Sequence, residues 1–267
     1  MISTIRYGFV SVLVLVAGCA SIQGGGSNAG EGARQAVSRE APVGEPRQRA
    51  KIHTELGALY LRDGRFAVAL EEARTALSAD DSYAPAYNLL GLTHMFLNEP
   101  GLAEESFEKA LRAAPGDPEI TNNYGWFLCQ NGKEKVAIEY FMRAASNPLY
   151  QTPTKPYTNA GICSIRIKDD KAAEAHLTRA LKLDPSNAQA LYWLGELAYR
   201  QGRFLDARQW IGDLEKLIEL PADATWLALR IERKLGGRDG EARHASQLRR
   251  KFAGSPEQRK LLNGDYE

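Results

Sequence analysis

Five glycines restrict this chain more than any other feature. Gly57, Gly91, Gly125, Gly161 and Gly195 follow one another at intervals of 34, 34, 36 and 34 residues. Twelve residues after each stands an alanine: Ala69, Ala103, Ala137, Ala173 and Ala207. Four residues further on come Phe107, Phe141, Leu177 and Ile211, and three beyond that Ala76, Ala110, Ala144 and Ala180. Self-similarity at a fixed period belongs to repeat architectures, in which each unit leaves an apolar face that only a neighbour can cover. The small residues fit places where two helices cross closely, and the large ones fill the space between hairpins. Turn signals fall where the two helices of a unit must join, at Asp63-Gly64-Arg65, Asn131-Gly132-Lys133 and Gln201-Gly202-Arg203.

A period of 34 is the length of the tetratricopeptide (TPR) repeat, two antiparallel helices per unit. The predicted fold is therefore all-α, a right-handed superhelical solenoid of about six TPR helical hairpins occupying residues 47–252, followed by a C-terminal tail at 253–267. Five repeats are clear. A degenerate sixth runs from Ala222 to Phe252, opening with Trp226-Leu227-Ala228-Leu229, turning at Gly236-Gly237 and lacking the marker glycine, as a capping unit can. The extra residues of the longer interval lie in Asn147–Pro156, where three prolines forbid a regular helix. That segment reads either as an ordinary longer loop or as a fixed elbow between the first three repeats and the last three.

The N-terminus is of another kind. One cation, Arg6, precedes the apolar run Phe9–Ala17, which falls short of the roughly 20 residues needed to span a bilayer. Cationic start, short apolar run and small residues make a secretory signal over residues 1–18. Leu15-Val16-Ala17-Gly18-Cys19 resembles the bacterial lipobox, in which cleavage precedes the cysteine and the cysteine is acylated. Cys19 is thus the expected lipidation site, and Ala20 in place of Asp implies sorting to the outer membrane. Residues 19–46 form the lipidated N-terminus and a tether, rich in glycine and almost bare of large apolar side chains. About 25 such residues reach roughly 25–30 Å as a flexible coil. Pro46 suits the first turn of the opening helix.

Charge and motifs exclude several functions. Lys and Arg number 34 against 33 Asp and Glu, a net charge of +1, so no strongly basic face for nucleic acid is expected. There is no phosphate loop, serine-nucleophile elbow, zinc-protease helix or dinucleotide fingerprint. His53, His94, His176 and His244 are scattered over four repeats without metal-ligand spacing. Repeats fill the chain and leave no room for a catalytic domain. A non-enzymatic, protein-binding role without metal, cofactor or small-molecule substrate is expected.

Binding is expected on the concave face lined by the first helices. Residues three before, one after and four after each marker point inward: Thr54, Ala58 and Leu61; Asn88, Leu92 and Met95; Asn122, Trp126 and Cys129; Thr158, Ile162 and Ile165; Tyr192, Glu196 and Tyr199. The set is apolar and aromatic with a few amides, and lacks the cations that clamp a C-terminal carboxylate. It suits a partner offering an apolar segment or an amphipathic helix; the competing reading is that several of these residues pack against neighbours. Trp126 and Met95 are the leading anchors, with Asn88, Leu92, Asn122, Tyr192 and Tyr199 beside them. Cys129 and Cys163 lie on adjacent first helices, four and two residues past their markers. Two residues are about 200° around a helix, so the side chains leave on opposite sides and face one another. A disulfide between them is expected in an oxidising compartment, the alternative being two separate buried thiols.

Asn122-Asn123-Tyr124-Gly125-Trp126-Phe127-Leu128-Cys129-Gln130-Asn131-Gly132 resembles the signature segment of the type IV pilus biogenesis and stability family (PilF/PilW). Asn147-Pro148-Leu149-Tyr150 and Asn159-Ala160-Gly161-Ile162-Cys163 add to the likeness, which covers essentially the whole chain; Lys251–Glu257 departs from the family's C-terminal pattern. The resemblance implies a pilotin: an outer-membrane lipoprotein on the periplasmic face of a Gram-negative envelope, whose direct partner is the pilus secretin subunit and on which piliation and twitching motility depend. The alternative is a TPR lipoprotein adaptor for cell-wall synthesis or outer-membrane protein assembly.

Overall fold

A computed structural model describes residues 45–266, so the signal segment, Cys19 and nearly all of the tether lie outside the described residues. The described part is α-helical throughout: α1 (Pro46–Arg62), α2 (Phe66–Ala79), α3 (Ala84–Phe96), α4 (Pro100–Ala113), α5 (Pro118–Gln130), α6 (Glu134–Ala145), α7 (Thr154–Arg166), α8 (Asp170–Leu183), α9 (Ala188–Arg200), α10 (Phe204–Leu217), α11 (Ala222–Leu235), α12 (Arg238–Lys251) and α13 (Pro256–Asn263). Helices pair in sequence order into six hairpins, and each odd-numbered helix through α11 touches the next odd-numbered one. This is an all-α tetratricopeptide solenoid.

Local chemistry starts and stops the helices. Pro46 occupies the first turn of α1, where its missing N–H is no loss. Asp117, Asp169 and Asn187 cap α5, α8 and α9 by accepting from the backbone N–H of Ile120, Ala172 and Ala190. Seven residues past the marker the chain turns with positive φ at Gly64, Gly132 and Gly202 (73°, 77° and 75°). In repeats two and four the same turn is made by Asn98 and Lys168, at 59° and 60°, without glycine.

The marker glycines are small because a large side chain lies against them. A Cβ on Gly91 would stand 2.8 Å from the Phe107 ring, and one on Gly125 2.9 Å from Phe141. At Gly161 and Gly195 it would meet Leu177 at 2.5 Å and Ile211 at 2.7 Å. Repeat one carries Ala73 in place of the large residue, and Leu89 of the next repeat fills the space, 2.6 Å from a Cβ on Gly57. Repeat six reverses the sizes: Leu229 holds the marker position, Ala245 the opposite one, and both lie in one core cluster. Volume is conserved across the crossing although the residues exchange roles. Burying each such large side chain contributes about 1.5–3 kcal/mol.

Two expectations need correction. The C-terminal segment is more than a tail: Leu261 of α13 and Tyr266 beyond it pack against Trp226, Leu248 and Phe252, closing the open end of repeat six. Arg233 lies 3.9 Å over the Tyr266 ring, which stacks on Trp226 at 5.6 Å. The three prolines of residues 147–156 do not keep the whole segment out of helix. Helix α7 begins at Thr154, and Pro156 sits in its first turn, where no earlier carbonyl needs its N–H. The remaining loop is fixed by hydrogen bonds from Asn147 Nδ2 to Gly116 O (3.1 Å), Leu149 N to Asn147 Oδ1 (2.9 Å) and Tyr150 Oη to Glu119 Oε2 (2.9 Å). Burial and the neighbouring Glu119 carboxylate raise the Tyr150 phenol well above its usual range, so it stays a donor.

Candidate partner-binding groove

Of the fifteen residues named from their spacing, Ala58 is exposed and Thr54, Leu61, Ile165 and Glu196 are half-buried, and the other ten divide into three groups. Cys129, Thr158, Asn122 and Ile162 are buried, at 0, 2, 3 and 6% exposure, so they build the wall rather than face a partner. Asn122 is thereby corrected from a contact residue to a support. Tyr192 and Tyr199 are half-buried but engaged within the chain. Burial, then the charges of Asp223 and Glu196, push the Tyr192 phenol up to about 12. The Arg230 guanidinium of α11 lies 4.6 Å over the Tyr199 ring. Asn88, Leu92, Met95 and Trp126 form the third group, partly exposed along α3 and α5.

Met95 and Trp126 of that group border two cavities that share Trp126. The first, of about 430 Å³, is lined by Met95, Phe96, Asn98, Pro100, Trp126, Phe127, Gln130 and Asn131. Phe96 is 59% exposed and stacks on Phe66 at 6.0 Å, leaving an aromatic face open beside Met95. The second, of about 340 Å³, is lined chiefly by amides: Asn122, Asn123, Asn159, Asn187 and Gln189, with Trp126, Thr154, Thr158, Glu119 and Lys155. Its two charges neutralise each other, Lys155 Nζ lying 3.1 Å from Glu119 Oε1.

The amides are wired to one another across three repeats. Asn159 Nδ2 donates to Asn122 Oδ1 (3.0 Å), Asn122 Nδ2 to Asn123 Oδ1 (3.3 Å), and Asn123 Nδ2 to Asn88 Oδ1 (3.2 Å). Asn187, which caps α9, donates from Nδ2 to Thr158 Oγ1 at 3.0 Å and carries the polar line to a fourth repeat. Asn123, Asn159 and Phe96 escaped the spacing rule because they lie one residue beyond the positions it selects. The signal was present: an asparagine two before the marker in both repeats three and four. Cys129 and Cys163 form a disulfide between α5 and α7, with Cα atoms 6.0 Å apart. Arg166 Nη1 donates to the Cys129 carbonyl at 2.7 Å across the same joint.

The histidines are occupied locally, buried or, at His176, half-buried. His53 Nδ1 lies 2.7 Å from Glu72 Oε2 and His94 Nδ1 2.6 Å from Glu99 Oε2. Burial lowers the pKa of His176 and of His244, for which neighbouring Arg243 acts in the same direction.

Comparison with known proteins agrees with this geometry. The family described as tetratricopeptide repeat matches residues 54–118, 88–152 and 171–224, and a second family of the same description matches 154–187. The type IV pilus assembly protein PilF of Pseudomonas aeruginosa is 27% identical over 205 residues, covering 77% of this chain and 81% of PilF. The crystal structure of PilW, a widely conserved type IV pilus biogenesis factor, superimposes with a TM-score of 0.74 at 31% identity, covering 80% of this chain and 99% of PilW. A Pseudomonas aeruginosa PilF structure superimposes at 0.73 with 26% identity over 82% of this chain and 99% of that one. The likeness to PilW takes in its whole repeat array, so the chain belongs to the tetratricopeptide-repeat family of type IV pilus biogenesis proteins, PilF/PilW.

Proposed function

We propose that this protein is a pilotin, a lipid-anchored scaffold that escorts the pilus secretin subunit to the outer membrane and promotes its assembly there. The observation that carries the reading is the match with PilW and PilF over 80% and 77% of this chain, proteins whose names place them in pilus biogenesis and assembly. The lipobox ending at Cys19 supplies the anchor, and the glycine-rich tether lets the solenoid stand off the periplasmic face of the membrane. The solenoid supplies the grip. It contributes no chemistry of bond making; its surface is a groove of aromatic and amide side chains shaped by stacked hairpins.

Deletion of the gene tests this directly. The expected result is loss of pili and of twitching motility, with the secretin recovered as monomer rather than as an assembled ring. Intact pili with altered cell shape would favour the cell-wall adaptor instead. Restoring the gene with Cys19→Ala is expected to leave the solenoid folded but the secretin mislocalised. Trp126→Ala is expected to reduce co-purification of secretin with the full chain by about tenfold or more, the size of effect seen when an aromatic anchor is truncated.

A further inference from the structure

We propose that the C-terminal end of the solenoid docks on anionic phospholipid headgroups, through the edge where α10 and α12 end. This deepens the proposed function and rests on its Cys19 anchor to bring the chain to a membrane.

The net charge of +1 conceals an uneven distribution. Residues 230–260 hold ten Lys and Arg against four Asp and Glu, a net charge of +6, whereas residues 45–229 carry −4. Part of the excess gathers at one place. A cation in the last turn of a helix is ordinary, because it complements the partial negative charge there. Helices α4, α6, α8 and α10 each carry one and α2 carries none, but α12 carries three: Arg249, Arg250 and Lys251. Arg250 and Lys251 join Lys216 and Arg243 round a cleft of about 380 Å³ between the ends of α10 and α12. The two acids of the cleft are already answered, Glu215 by Arg243 at 3.3 Å and Glu219 by Lys251. Lys216 pairs with Asp213 at 2.7 Å. The side chains of Arg249 and Arg250 are exposed and have no partner among the described residues.

Leu217 and Ile218 line the same cleft, 46% and 43% exposed. Aliphatic side chains set among cations suit an interfacial membrane contact: the cations meet lipid phosphates and the aliphatics enter the headgroup layer. A soluble acidic chain would use the cations and leave the leucine and isoleucine wet.

Topology adds an independent reason. The hairpins are antiparallel and stack in sequence order, so odd-numbered helices begin and even-numbered helices end at one edge of the solenoid. Pro46 opens α1 at that edge, so the tether from Cys19 joins the solenoid there. Leu149 and Leu183 stand on the same edge in the repeats between, 83% and 41% exposed. Near the tether the edge is acidic instead, with Asp80, Asp81 and Asp117. That end is held by the acyl group and needs no attraction of its own, whereas repeat six has only its surface. With both ends down, the helices stand upright on the membrane and the groove along α3 and α5 stays uncovered.

The test uses the mature-length chain, residues 19–267 with Cys19→Ser, so that no acyl group contributes. Flotation is measured with vesicles of phosphatidylcholine alone or mixed equally with phosphatidylglycerol. The chain is expected to float with the anionic vesicles only, and to be released at about 1 M salt, where charges are screened beyond about 3 Å. Arg249→Gln with Arg250→Gln should weaken binding about fivefold per cation, and Leu217→Asn by a similar factor. Lys133→Gln with Lys135→Gln, on the opposite edge, should change it less than twofold. Unfolding midpoints are measured for every variant. Equal flotation with neutral vesicles, no flotation with either, or equal losses in the two double variants overturns the proposal. Binding of polyglutamate without binding of vesicles also overturns it and assigns the patch to an acidic protein. If the vesicles behave as expected while gene deletion leaves pili and secretin rings intact, the membrane surface stands and the pilotin reading falls. If deletion removes both and anionic vesicles ignore the chain, the pilotin reading stands and this inference falls.

Discussion

Four residues past its marker glycine, Met95 in repeat two lines an open cavity, whereas Tyr199 in repeat five lies 4.6 Å beneath the guanidinium of Arg230. Three residues before the marker the same divergence appears. Asn88 accepts from Asn123 in a polar line open to solvent, while Tyr192 is pressed against Asp223 of repeat six. The middle repeats and the C-terminal repeats share one backbone plan, yet only the middle leaves its inner face unfilled. The C-terminal end spends the equivalent positions on its own closure, sealed further by α13. A repeat position therefore specifies a direction, and the neighbouring unit decides whether that direction is groove or core.

The comparison can be broken most forcefully at the helix crossings. Phe141→Ala in repeat three is expected to cost about 3–5 kcal/mol in chemical denaturation. Adding Gly125→Leu, which copies the reversed sizes of Leu229 and Ala245 in repeat six, should recover part of that loss. If the double variant is less stable than Phe141→Ala alone, the two ends of the solenoid do not share a common packing rule. Next in size, Cys129→Ala with Cys163→Ala opens a cross-link whose cysteines are 34 residues apart. The expected loss is about 3–4 kcal/mol in non-reducing conditions on chain-entropy grounds, and wild-type protein with reductant should show the same fall.

The C-terminal end should also respond to acid. His244 is 2% exposed, and burial together with Arg243 favours its neutral form, against the opposing charges of Glu215 and Glu232. Its folded pKa lies below the unfolded value of 6.5, so the unfolded chain binds more protons in the interval between them. Stability contributed by neutral His244 is full above pH 6.5 and declines as pH falls below it, by no more than about 1.4 kcal/mol per pH unit. Denaturation midpoints at pH 7.5 and 5.5 measure this, and His244→Asn should flatten the dependence; His176, half-buried and also lowered, adds a smaller share. The smallest effect expected is that of Arg230→Ala, about 0.5–1 kcal/mol for the lost stacking on Tyr199. It should make the Tyr199 ring more accessible to solvent, read as a shift in tyrosine fluorescence quenching.

Much of this was legible in the chain. The intervals between Gly57, Gly91, Gly125, Gly161 and Gly195 fixed five of the six hairpins, because close crossing of the two helices demands a small residue once per repeat. Turn glycines gave most boundaries, although Asn98 and Lys168 make the same turn without one. The likeness to PilF/PilW was carried by Asn122–Gly132 and Asn147–Tyr150. Less legible was the site. The periodic rule chose Asn122, which is buried, and passed over Asn123, Asn159 and Phe96, each one residue away around the helix.

Sequence by itself determined the architecture, since helix pairing and stacking follow from small and large side chains recurring at a fixed period, a local and repeated signal. Only the tertiary structure decided which inner-face residues remain open, how the asparagines of separate repeats join into one oriented line, and that residues 256–263 fold back as a closing helix. Those outcomes depend on side chains far apart in the chain meeting across units, and a periodicity records the position of each residue without recording what lies opposite it.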